Sequence, residues 1–189
     1  MDNRTIEKKI WFVSDTHFGH IKDFLWASRG FNSIEEHDET IIKNWNEVVG
    51  PDDIVYHLGD VMLNDNEHGL ECIKRLNGHI HLILGNHDSN RRVSLYEECP
   101  NIVEIVFAIQ IKYKKYYFYC SHYPTLVHNY DDYLKIWCLH GHTHSKEKFS
   151  ENYHCYNVSL DAHNNYPIEI NKIVNDIKEK YKKEENKNV

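Results

Sequence analysis

Leu82-Ile83-Leu84-Gly85-Asn86-His87-Asp88 is the stretch on which the reading of this chain turns. Three apolar residues run into a glycine, which marks the end of a buried strand and a tight turn at its tip. Asn86 then offers a neutral amide oxygen, His87 an imidazole and Asp88 a carboxylate. At the end of a strand these groups point into a shared pocket. Taken alone, the stretch reads equally well as a polar turn that only caps a strand, so the rest of the chain has to decide.

The same layout recurs on both sides of it. Ile10-Trp11-Phe12-Val13 is a buried-strand run that ends in Ser14-Asp15-Thr16-His17. Asp15 and His17 are two residues apart, so strand alternation would turn them the same way. Asp and His in such a pair are ordinary ligands for a divalent metal, although D-x-H by itself carries little information. Ile54 to Leu58 is a second strand, closed by Gly59-Asp60. Tyr116 to Cys120 ends in Ser121-His122, and Ile136 to Leu139 runs into His140-Gly141-His142-Thr143-His144. The last run, Cys155 to Leu160, stops at Asp161.

Helical patterns separate the strands. Ser33-Ile34-Glu35-Glu36 has the shape of a capping box, opening a helix that stops at Gly50-Pro51 and reads as plain packing, with His37 on its solvated face. Asn64 and Glu67 are candidate caps of the next helix. A short helix covers about 91–98. Ile102 to Ile111 reads as one long strand, Lys112 to Lys115 as a hairpin turn, and Ile173, Val174, Ile177 and Tyr181 as one face of a terminal helix. The stretch from Phe18 to Phe31 reads as a loop. If it folds over the pocket, Arg29 can grip a phosphate through its forked donors, with His20 beside it; a surface arginine is the alternative. His79 and His81 belong to the exposed start of their strand.

Strands interleaved with helices define an α/β chain, and ligands in such sheets bind outside the carboxyl ends of the strands. At 189 residues and 41% hydrophobic content, the expectation is one domain over 1–181 with a charged tail at 182–189. The net charge of −7 argues against a nucleic-acid surface, and no apolar run is long enough to span a membrane. The five cysteines are widely spaced with no C-x-x-C pair, as expected of reduced thiols in a cytoplasmic protein.

In their order, Asp15-x-His17, Gly59-Asp60, Gly85-Asn86-His87-Asp88, His122 and Gly141-His142-x-His144 resemble the signature of the calcineurin-like metallophosphoesterases, the small prokaryotic and phage phosphodiesterase-like members in particular. The resemblance implies two β-sheets packed face to face, flanked by helices. It implies two divalent metal ions, with manganese favoured over iron, nickel or zinc. Asp15, His17 and His144 would hold the first ion, Asn86, His122 and His142 the second, and Asp60 both. His87 would be the general acid, oriented and charged by Asp88, and a metal-bound hydroxide the nucleophile. The implied activity is hydrolysis of a small-molecule or nucleotide phosphoester, a diester before a monoester. A non-catalytic metal-binding scaffold is the alternative from a different class. Tyr123, Asp161 and His163 are further candidates to line the pocket.

Overall fold

The computed structural model describes residues 8–126, 136–150 and 154–187. Among these residues nine strands fall into two sheets. Strands β1 (Ile10–Val13), β2 (Ile54–His57), β3 (His79–Ile83) and β4 (Ile102–Val106) run parallel, and β9 (Ile168–Glu169) lies antiparallel on the free edge of β1. The second sheet orders β5 (Ala108–Tyr113), β6 (Tyr116–Ser121), β7 (Ile136–His140) and β8 (Cys155–Asn157), with β5 antiparallel to β6 and the other pairs parallel.

Alternation along β1 explains the layering. Trp11 and Val13 face the helices α2 (Ile34–Val48), α3 (Asn66–Lys74) and α4 (Asn90–Tyr96), joining a core with Ile41, Trp45, Val55, Ile73, Leu82 and Tyr96. Phe12 faces the other way, into a second core with Leu58, Ile83, Phe118, Trp137 and Tyr156. The terminal helix α5 (Ile170–Lys187) adds Ile173, Val174 and Ile177 to that core. All five cysteines are buried and free.

Parallel pairing puts the tips of β1, β2 and β3 at one end of the first sheet. A bridge between Ser14 and Ser159 joins that end to the second sheet just beyond β8. The polar blocks after each strand therefore meet at one seam.

Several expectations are corrected. The run from Ile102 to Ile111 is two strands in different sheets, parted at Phe107, which is 82% exposed. No glycine or proline marks the break, because it is set by which sheet each half pairs with. The stretch after Phe18 contains a helix, α1 (Asp23–Ser28). Asp65, whose side chain accepts from the backbone N–H of His68, caps α3 in place of Asn64. Residues 182–187, the start of the charged tail, continue α5 as helix. Beyond Asn157 the chain leaves the strand and makes a single 3-10 turn at Leu160–Ala162.

Candidate metal centre

Five of the expected ligands sit in the left-handed backbone region: Asp15 (φ 60°), His17 (φ 49°), Asp60 (φ 57°), His142 (φ 68°) and His144 (φ 49°). Non-glycine residues occupy it at a cost of order 1–3 kcal/mol each, and such strain persists only where surrounding contacts over-determine it. Here the contacts are visible. The backbone N–H groups of Asp15 and His17 donate to the carbonyls of Gly59 and Asp60, both at 3.0 Å. Asp15 and His17 thus reach the same side through left-handed turns after β1 has ended, and not by strand alternation.

The strand tips approach more closely than side chains allow. A Cβ on Gly59 would lie 2.5 Å from the Gly85 nitrogen, and one on Gly85 would fall on Asp60 Oδ1. A Cβ on Gly141 would fall on Ser14 and Asp15. Asp88 ties this junction: Oδ2 accepts from the N–H groups of Asp60 and Gly85, both at 2.8 Å, and Oδ1 from Val61 N–H at 3.2 Å and the Tyr96 hydroxyl at 2.8 Å. Four donors occupy both oxygens. Asp88 therefore does not orient the His87 ring, as the resemblance implied; it fixes the two turns that carry Asp60 and His87.

The ligand-type atoms fall into two groups, Asp15 with His17 and His144, and Asp60 with His122 and His142. In the first, the Nε2 atoms of His17 and His144 each lie 3.8 Å from Asp15 Oδ1 and 3.3 Å from one another. In the second, His122 Nε2 lies 3.4 Å from Asp60 Oδ2 and 2.9 Å from Asn86 Oδ1. Asp60 Oδ2 is also 3.8 Å from His17 Nε2, so it stands between the groups.

Hydrogen bonds on the far side of two of the rings settle their tautomers. His122 Nδ1 meets the Leu58 carbonyl at 2.7 Å, and His144 Nδ1 meets Asp161 Oδ2 at 3.0 Å. Both partners only accept, so both Nδ1 atoms carry a proton. In the neutral ring Nε2 is then a bare lone pair. For His122 it faces the Asp60 and Asn86 oxygens, an arrangement that repels unless the ring is protonated or a cation lies between. The residues present therefore fit a cation on geometry and on donor chemistry, with carboxylate, amide oxygen and imidazole converging. Partners on the outer nitrogen are also the usual support of a metal-binding histidine.

Charge acts in the same direction. Complete burial pushes the Asp15 carboxyl up, against the charges of His144 and His122. Burial also raises Asp60, but the hydrogen bond and charge of His122, with His17, outweigh it and hold that carboxyl at about 2. Burial keeps His17 and His142 low and therefore neutral. His122 and His144 are raised despite burial, by Asp60 and by Asp161 respectively.

Arg29 is not available to grip a phosphate. Its side chain is 1% exposed. Nε and Nη2 donate to the two oxygens of Asp161 at 3.0 and 2.8 Å, Nη2 also to the Asp15 carbonyl at 2.7 Å, and Nη1 to His37 Nε2 at 3.0 Å. His37 is buried, not on a solvated face. Arg29 instead anchors Asp161, which orients His144. Asp161 is the functional residue that sequence reasoning left in a supporting place; its signal was its position after the last apolar run. His20 is buried with its ring edge against His17, centroids 5.7 Å apart, and its Nδ1 accepts from Lys22 N–H. Tyr123 lies at the rim, 4.7 Å from the His142 ring. His163 turns away, bonding the Asn157 carbonyl and stacking on Tyr156. His87 is anchored by its backbone N–H to Asp60 Oδ1 at 2.8 Å and by its carbonyl to Arg92, and leaves its ring 41% exposed at the mouth.

A family model described as calcineurin-like phosphoesterase matches residues 8–188. An uncharacterized protein of Methanocaldococcus jannaschii is 34% identical over 176 residues, covering 88% of this chain and 90% of its own. The gene 66 protein of Mycobacterium phage L5 is 31% identical over 192 residues, covering 80% of this chain and 86% of its own. A crystal structure of a protein of unknown function from Aquifex aeolicus is 28% identical, with a TM-score of 0.65 over 89% of this chain and 98% of that one.

The Arg29–Asp161 pair has a measurable consequence. Burial raises the Asp161 carboxyl, but the hydrogen bonds of His144 and Arg29 outweigh it and hold it well below its ordinary value. A depressed carboxyl contributes stability that is present above the unfolded value, about 3.9, and is lost as pH falls through the folded one. Removing one partner of a buried pair costs about 3–5 kcal/mol. Asp161→Asn is expected to lose stability of that order at pH 7 in urea unfolding, with the gap to wild type shrinking below pH 4. A gap that is constant with pH, or absent at pH 7, contradicts the pairing.

Proposed function

The chain belongs to the calcineurin-like phosphoesterase family, and from that premise we propose that it is a phosphodiesterase dependent on two divalent metal ions, with His87 as general acid. The observation that carries the reading is Asp60 Oδ2, which lies 3.8 Å from His17 Nε2 in one ligand group and 3.4 Å from His122 Nε2 in the other. In this reading Asp15, His17 and His144 would hold one ion, Asn86, His122 and His142 the other, and Asp60 both. Bound ions supply Lewis acidity and lower the pKa of water enough for attack near neutral pH. Manganese is favoured, and a site of nitrogen and oxygen donors also accepts iron, nickel or zinc according to supply.

The protein's own groups then divide the work. The buried carboxylates of Asp15 and Asp60 set the charge of the site, and the neutral Asn86 oxygen leaves the second ion more electrophilic. His87 differs from the ligands. Its backbone is held at both ends while its ring stays open to solvent, with Nε2 3.9 Å from Asp60 Oδ2. A ring so placed can protonate the leaving oxygen and be recharged from water.

The state of the arginines favours a diester. A monoester brings a second negative charge and calls for a further cation. Arg29, a cation in contact with the first ligand group, is neutralised by Asp161, and Arg92 is engaged by the His87 carbonyl and Asn66. The substrate class is accordingly a small-molecule phosphodiester or a nucleotide.

A chelated preparation reloaded with manganese should hydrolyse bis(p-nitrophenyl) phosphate, and the same protein before reloading should not. Full activity in verified metal-free protein sinks the proposal, as does inertness of the loaded protein toward both aryl diesters and monoesters. Faster turnover of p-nitrophenyl phosphate than of the diester reverses the substrate preference.

His87→Ala separates proton donation from metal binding. General acid catalysis is worth about 10²–10⁴-fold, and matters most when the leaving oxygen is basic. The loss should be of that order for a nucleotide or alkyl ester and much smaller for a p-nitrophenyl ester, with metal content unchanged. Equal losses on both substrates, or loss of metal, contradict the role.

A further inference from the structure

Asp38 on α2 and His68 and Cys72 on α3 form a third group of ligand-type side chains outside the site above. His68 and Cys72 are one helical turn apart, so both face α2. His68 Nε2 lies 2.8 Å from Asp38 Oδ2 and 3.5 Å from Cys72 Sγ. We propose that Asp38, His68 and Cys72 bind a thiophilic divalent cation of the zinc class, separate from the metal pair and completed by water.

The geometry distinguishes coordination from catalysis. A Cys-His-Asp relay places thiol and carboxylate on opposite ring nitrogens. Here both face the same nitrogen, Nε2, as donors converging on one centre do. Zinc bond lengths of about 2.3 Å to sulfur and 2.0–2.1 Å to nitrogen place those atoms about 3.5 Å apart in a tetrahedron. That is the spacing found between Cys72 and His68. The nitrogen–oxygen pair needs about 3.3 Å on the same bond lengths, so His68 must withdraw slightly, and its side chain is 39% exposed and free to do so.

The environment suits an ion. Asp38 and Cys72 are fully enclosed, while His68 opens the cluster to solvent, providing both an entry path and room for the water ligand. Binding forms a metal–sulfur bond in place of the Cys72 S–H bond, and that proton leaves to solvent. His68 binds as a neutral ring with its proton on Nδ1. Asp38 exchanges its hydrogen bond from His68 for the metal and keeps the one from Gly19 N–H at 2.9 Å. Its other oxygen accepts from His37 Nδ1 at 2.7 Å, and His37 Nε2 accepts from Arg29. The ion would therefore clamp α2, α3 and the Gly19 turn at the far end of the hydrogen-bond chain that runs through Arg29 and Asp161 to His144.

Cobalt(II) titration of the full-length, metal-stripped chain tests this. The metal pair described above has no sulfur ligand, so a thiolate-to-cobalt charge-transfer band in the near ultraviolet does not arise there, and its loss in Cys72→Ser separates this site from the other four cysteines, whatever the chain hydrolyses. The band should rise to one equivalent of this site, be displaced by zinc, and be lost in both Cys72→Ser and His68→Ala. The second variant changes a half-exposed side chain, so its fold is secure and is checked by circular dichroism. Absence of the band at saturating cobalt overturns the proposal, and so does a band that survives either substitution.

Discussion

Gly59 and Gly85 lie backbone against backbone where β2 and β3 end, and Asp88 holds both turns by accepting the N–H groups of Asp60, Val61 and Gly85. That contact decides where Asp60 sits. It also decides the position of His87, whose backbone N–H is bound to the other Asp60 oxygen. From Asp60 the seam extends to β1 through the backbone bonds of Asp15 and His17. It reaches the second sheet through His122, whose ring is pinned to the Leu58 carbonyl, and through His142 N–H on Asp15. Side chains from five separate strand ends converge because two glycines let their backbones touch. No side-chain rearrangement could make up for a Cβ at either position.

The cost of this construction is carried by the backbone. Asp15, His17, Asp60, His142 and His144 all have positive φ. The backbone N–H groups of Asp15, His17, Asp60 and His142 are committed across the seam, so the strain there is held by neighbours and not relieved locally. The buried carboxylate of Asp15 is a second cost, since complete burial disfavours its charged form. Both fit a centre built to receive cations. The rigidity of the outer partners, Leu58 for His122 and Asp161 with Arg29 for His144, keeps the ring lone pairs aimed inward.

Much of this was legible in the chain itself, and what was not has physical reasons. Apolar runs that end in Asp15, Asp60, Asn86, His122 and His142 announced the strand tips, because burial patterns and glycines are local signals. The ordered set of motifs, more than any one of them, pointed to the two-sheet fold, which the structure bears out. Tertiary partners left no such trace. Asp88 follows His87 directly, yet its bonds go to residues 27 and 28 positions earlier and to Tyr96. Arg29 looked like a surface cation because nothing in its neighbourhood tells that Asp161 lies against it. The split at Phe107 was invisible since both halves of 102–113 are strand-forming; only the choice of partner strand separates them.

The central claim is that Asp60 stands between two cations. Anomalous diffraction from crystals soaked in manganese, recorded at the manganese edge, tests it without reference to any substrate. The account predicts two peaks, one among Asp15, His17 and His144, the other among Asn86, His122 and His142, with Asp60 touching both. A single peak, or two that do not share Asp60, would contradict it.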